Sequence, residues 1–141
     1  MRDRTLAVLC HVGGFIGCWI VPGIGGILVP LAVWGLGKSP DRTLLDQHGK
    51  EAINFQISVL IYTVAVVAAF FTGALVFTAS SAMSDNGLMS IFSIGSGAAV
   101  LISIALFVFL FIFEAICVIL AMTKAFGERQ CHYPLTMRLI K

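Results

Sequence analysis

Three long apolar stretches, Leu6–Leu36, about Ile53–Ala79 and about Ile91–Met122, leave this chain few ways to fold. Each exceeds the roughly 20 residues with which a helix crosses a bilayer. Only 11% of the residues are charged and 59% are hydrophobic, where a soluble domain carries about a quarter charged. So large an apolar surplus cannot be buried in one small core, and lipid is the solvent that accommodates it. Strand-type alternation is absent, which argues against a membrane barrel. The expected fold is all-α: one membrane-embedded polytopic helix bundle.

The first stretch does not read as one helix. Continuous, it would reach about 46 Å, well beyond a hydrocarbon core of about 30 Å. Its middle, Val21-Pro22-Gly23-Ile24-Gly25-Gly26, removes a backbone donor and weakens whatever helix remains. A broken hairpin over about 5–37 is expected, fully crossing or re-entrant, followed by transmembrane helices over about 47–79 and 91–124. Charge placement supports the turn. The nine basic residues fall at Arg2 and Arg4, at Lys38, Arg42 and Lys50, and at Lys124, Arg129, Arg138 and Lys141. A hairpin puts them all on one side, as the positive-inside rule prefers. The expectation is a multi-pass protein of the bacterial inner membrane with both termini cytoplasmic.

Segment 38–52 then reads as a cytoplasmic loop, with Asp46 as N-cap of the next helix. That helix carries Asn54, Ser58, Tyr62, Ala65, Ala69 and Gly73 on one face, suited to packing on Ser103, Phe107, Leu110, Glu114, Cys117 and Ala121 of the third stretch. Residues 80–90 form the external loop, and Gly95-Ser96-Gly97 reads as part of the same turn. The tail from about 125 ends in a short amphipathic segment that begins at Pro134. Arg2 and Arg4 ahead of an apolar run resemble a signal peptide, and Cys18 a lipoprotein site. The residues after Cys18 stay apolar, so no cleavage is expected. The four cysteines, Cys10, Cys18, Cys117 and Cys131, do not form a secreted-domain disulfide framework and are expected as thiols.

Asp46-Gln47-His48-Gly49-Lys50-Glu51-Ala52-Ile53-Asn54-Phe55-Gln56 resembles the signature of a bacterial family labelled as a domain of unknown function. That family is distantly similar to the twenty-kilodalton subunit of the chloroplast inner-envelope protein-import translocon. His11, Pro30-Leu31, Trp34, Ala125-Phe126-Gly127-Glu128 and Tyr133-Pro134-Leu135 agree with it. The resemblance implies a small four-helix membrane fold without an assigned activity. It marks Asp46, His48, Gly49, Lys50, Glu51, Tyr133 and Pro134 as motif residues.

Glu114 is the leading candidate for chemistry. It lies about 15 Å inside the membrane on a regular helix, where an ionisable group is costly and often functional. It reads either as a relay or pore-lining group, or as a neutral acid bonding two helices together. Asn54 and Gln56 can form a polar cluster with His11 in the cytoplasmic half, or can satisfy the backbone broken at Pro22 and Pro30. Lys50 and Glu51 are expected at headgroup level. The pairs Cys10-His11 and Cys131-His132 lack ligand spacing, since adjacent helical residues diverge by about 100°. No metal or cofactor is expected. Catalytic signatures are absent, so no enzyme is expected. Nucleic acid is excluded as a partner, because topology explains the few basic residues. Two readings remain: a non-enzymatic accessory subunit, as a homo-oligomer or in a larger membrane complex, or an oligomeric channel or translocation element with a polar path near Glu114.

Overall fold

The computed structural model describes residues 3–83 and 87–140. Among them the chain forms four helices and no strand: α1 (Asp3–Ile20), α2 (Gly25–Gly37), α3 (Thr43–Ala82) and α4 (Gly87–Phe126). Helices α3 and α4 are each long and apolar enough to cross a membrane. At 1.5 Å per residue, 40 residues reach about 60 Å, twice the thickness of a hydrocarbon core. The chain divides into two compact units, Met1–Leu60 with Phe113–Lys141, and Ile61–Ile112.

In the first unit the hairpin breaks where proline and glycine dictate. Gly23 adopts φ +90°, in the left-handed region that a side chain disfavours. The Ile24 carbonyl then accepts from both Ile27 N and Leu28 N at 3.0 Å, opening α2 without a side-chain cap. The two helices meet glycine to glycine, and a Cβ on Gly17 or Gly25 would overlap the other's carbonyl. Pro30 lies inside α2 and is buried there. Arg42 closes the helix end by donating to the Gly37 carbonyl at 2.9 Å and pairs with Asp3 at 3.2 Å. Gly49 lies under the Trp34 indole, where a Cβ would not fit, and this brings α2 onto α3.

Asp46 is not the N-cap of α3. The helix already starts at Thr43, with Asp46 N donating to the Arg42 carbonyl at 3.1 Å. Asp46 still suits the positive helix end, but its carboxylate is engaged by the Trp34 indole at 3.0 Å and by Lys50 at 2.6 Å. Helix α4 ends in a Schellman arrangement: Arg129 N donates to Lys124 O and Glu128 N to Ala125 O, with Glu128 at φ 53°.

The expected amphipathic helix at Pro134 does not form. Residues 131–140 run as an irregular strap, with a turn at Pro134–Leu135 and a tight bond from Leu139 N to the Met137 carbonyl at 3.1 Å. The physical reason is that side chains of α3 take up the strap's backbone groups, and a helix would withdraw them. One core of this unit gathers Phe55, Cys117, Val118, Ala121, Cys131 and Tyr133. Another gathers Cys10, Leu45 and Ala52 under Leu6, Val33 and Trp34.

In the second unit α3 and α4 run antiparallel. Gly73 faces Ser96–Val100, Phe77 faces Gly97, and Ser81 and Ser93 share a hydrogen bond at 2.9 Å. The connection between α3 and α4 is therefore shorter than expected. Gly87, Gly95, Ser96 and Gly97 belong to α4 rather than to a turn; Ser84, Asp85 and Asn86 lie outside the described residues. Gly73 and Gly97 serve close helix packing there, Gly87 and Gly95 face open space, and buried Ser80 and Ser96 satisfy their hydroxyls on their own helix. The expected α3 face is only partly the contact face: Gly73 is buried, while Ala65 and Ala69 are exposed. On α4, Ser103, Glu114, Cys117 and Ala121 are buried as expected, but Phe107 is half exposed.

Candidate functional site

Three hydrogen-bonded systems stand out among the described polar side chains of the first unit. In the first, His11 Nε2 meets His48 Nδ1 at 2.8 Å, Tyr133 Oη meets His11 Nδ1 at 2.8 Å, and His48 Nε2 meets the Arg129 carbonyl at 3.0 Å. Its direction is forced when both rings are neutral. A carbonyl only accepts, so His48 donates from Nε2 and accepts at Nδ1; His11 then donates from Nε2 and accepts the Tyr133 hydroxyl proton at Nδ1. Tyr133 stacks on Phe55, with ring centroids 4.0 Å apart. Burial, with Cys131, Cys117, Glu114 and Glu51 nearby, pushes the Tyr133 hydroxyl pKa up, so it stays a donor.

The second system joins three helices. Cys18 donates to Gln56 Oε1 at 3.5 Å, and Gln56 Nε2 donates to Glu114 Oε1 at 3.0 Å. Gln56 and Glu114 are both buried.

The third holds the strap. Asn54 Oδ1 accepts from Leu139 N at 3.1 Å and Ile140 N at 2.9 Å, while Nδ2 donates to the Ile140 carbonyl at 2.8 Å. Ser58 Oγ accepts from Met137 N at 2.8 Å and donates to the Asn54 carbonyl at 2.9 Å. Glu51 accepts from Tyr133 N at 3.4 Å and pairs with His132 at 3.0 Å. Beyond the strap, Arg4 and Glu128 form an ion pair.

The expected polar residues are thus divided rather than clustered. His11 bonds His48 and Tyr133, Asn54 bonds the strap, and Gln56 bonds Glu114; none of these bonds goes to the backbone at Pro22 or Pro30. Glu51 is buried, and its partners are His132 and the Tyr133 N–H of the strap. Lys50 pairs with Asp46, and Lys38 lies over the Trp34 ring, 4.7 Å from its centroid. Gly49 makes room for Trp34, and Pro134 sits in the exposed turn of the strap. Sequence reasoning missed Cys18, Ser58 and His132 as partners. A signal was present: Glu51, Asn54 and Ser58 recur at helical spacing, a polar stripe that needs hydrogen-bonding groups opposite it.

All four cysteines are free, and all but Cys18 are buried. Burial pushes the Cys131 thiol up to about 11. Among the described residues, no group of three or more His, Cys, Asp or Glu side chains is placed to hold a metal ion.

Two apolar helices able to span a bilayer, with polar side chains turned onto one another, define a small helical membrane protein. The chain belongs to MamF_MmsF, the magnetosome magnetite crystal formation protein family, whose model matches residues 2–140. No curated protein matches the chain, and no solved structure does. The family match overturns the resemblance to the family of unknown function and its translocon relative. The Asp46–Gln56 run that suggested it is occupied by internal joints: Gly49 under Trp34, Glu51 and Asn54 on the strap, Gln56 on Glu114.

Proposed function

We propose that this chain is a non-enzymatic accessory protein of the magnetosome membrane that contributes to magnetite crystal formation. The family match over residues 2–140 carries the reading. The hydrogen-bonding pattern supports it, because the candidate polar groups are engaged in holding α1, α3, α4 and the strap together. Glu114 acts as an interhelical bond to Gln56, and a polar conduit past His11, Asn54, Gln56 and Glu114 gains no support from side chains committed to one another. The chain spans the membrane several times with both termini, the α2–α3 connection and the start of α3 as far as Lys50 in the cytoplasm, as its basic residues favour. It works as an assembled protein, self-associated or within a larger membrane complex.

The test is deletion of the gene in a magnetite-forming host, followed by return of the chain. Electron microscopy of the crystals should show altered size or shape that the returned chain restores. A tagged chain should fractionate with the magnetosome membrane. Unaltered crystals, or a chain confined to other membranes, would reject the reading.

A further inference from the structure

A groove of about 490 Å³ opens beside the first turns of α3, between Thr43 and Asn54 on the helix and Arg138 and Ile140 on the strap. Its carboxylates are already answered from within: Asp46 by Lys50 at 2.6 Å, and Glu51 by His132 at 3.0 Å and the Tyr133 N–H. Asn54 is fully engaged by Leu139 and Ile140. What remains toward the groove is donor capacity: the Arg138 guanidinium, the free hydrogens of the Lys50 ammonium, and the Thr43 and Gln47 side chains. Among the described residues, no ion pair or hydrogen bond holds the Arg138 guanidinium.

The strap fixes the backbone that carries Arg138, since the N–H groups of Met137, Leu139 and Ile140 are all bound to side chains of α3. Arg138 is flanked by exposed Met137 and Leu139, and the apolar run of α3 begins at Ile53, inside the span of the groove. A planar fork of donors in a groove that it shares with Ile140, at the level where a helix turns apolar, matches an amphiphile with a phosphate head. A metal ion would find both acids already engaged, Asp46 by Lys50 and Glu51 by His132 and the Tyr133 N–H. A peptide would find the backbone-binding side chains already covered by the strap.

We propose that this groove binds the phosphate of an anionic phospholipid, with Arg138 as the bidentate contact and Lys50 as the second cation. The proposal rests on the membrane reading but not on the role in crystal formation. The full chain, purified in mild detergent, is titrated with phosphatidylglycerol, phosphatidylcholine or inorganic phosphate, reading native mass spectra and thermal stability. Phosphatidylglycerol should bind most tightly and raise the melting temperature, while inorganic phosphate at equal concentration does neither. Arg138→Gln should weaken phosphatidylglycerol binding about 5-fold, the size of one interfacial cation. Arg138→Lys should retain part of the affinity, and Arg129→Gln, whose exposed side chain is outside the groove, should match the parent. Melting without lipid should be the same in all variants, because Arg138 is exposed. Equal binding by Arg138→Gln and the parent overturns the proposal. So does phosphatidylcholine binding as tightly as phosphatidylglycerol, or inorganic phosphate stabilising as strongly as lipid.

Discussion

Asn54 grips Ile140 by both of its backbone groups, accepting from the N–H at 2.9 Å and donating to the carbonyl at 2.8 Å. A single side-chain amide thereby stands in for a neighbouring strand. Asn54→Ala removes these bonds together with that to Leu139, and should destabilise the chain by about 2–4 kcal/mol. Trypsin supplies the readout: cleavage after Arg138 should become rapid in the variant while the helices stay protected. Unchanged cleavage would show that the strap is held by something else.

Tyr133→Phe keeps the stack on Phe55 but leaves His11 Nδ1 without its donor. A cost of about 1–3 kcal/mol is expected, from one buried acceptor left unpaired. Because the three groups form one directed chain, His48→Ala combined with Tyr133→Phe should cost less than the sum of the single changes. Thermal melts of the four forms close the cycle; strict additivity would contradict a connected chain.

Glu114→Gln preserves an acceptor for the Gln56 amide, so stability should change by less than about 1 kcal/mol. Glu114→Leu strands that amide in a buried site and should cost about 1–3 kcal/mol. In the host, crystals formed with Glu114→Gln should match those of the parent chain. A crystal defect with an intact fold would instead mark Glu114 as a working acid.

Cys131 gives a signature in pH. Its folded thiol titrates near 11, above the ordinary value of 9.0. The neutral thiol is therefore favoured in the folded state, so stability is level below pH 9 and falls as pH rises toward 11. Melting temperatures measured from pH 7 to 11 should show this decline, and Cys131→Ala should reduce it. Iodoacetamide at pH 8 should leave Cys131 unmodified until the chain is unfolded.

Features governed by near neighbours were legible in the sequence. The break at Pro22-Gly23 sits where a fixed φ and a φ of +90° demand it, and the long apolar runs became α3 and α4. Features governed by distant partners were not. The strap's conformation depends on Glu51, Asn54 and Ser58, about eighty residues earlier. Taken alone, its sequence suggests an interfacial helix. Gly95-Ser96-Gly97 misled for another reason: small residues serve both tight turns and close helix contacts, and at Gly97 it is the presence of Phe77 that decides between them. The Asp46–Gln56 motif was conspicuous for its polar residues, which here mark joints within this fold, and so it pointed to the wrong family.

The strap also sets an order of events during synthesis. Helix α3 leaves the ribosome with Asn54 and Ser58 exposed, and their partners Met137, Leu139 and Ile140 follow only after all of α4. For that interval the young chain carries an unfilled polar seam at the membrane surface. A transcript broken shortly after α4 would yield a protein with all of its helices and that seam permanently open, a mark by which quality-control proteases can tell an unfinished copy from a finished one.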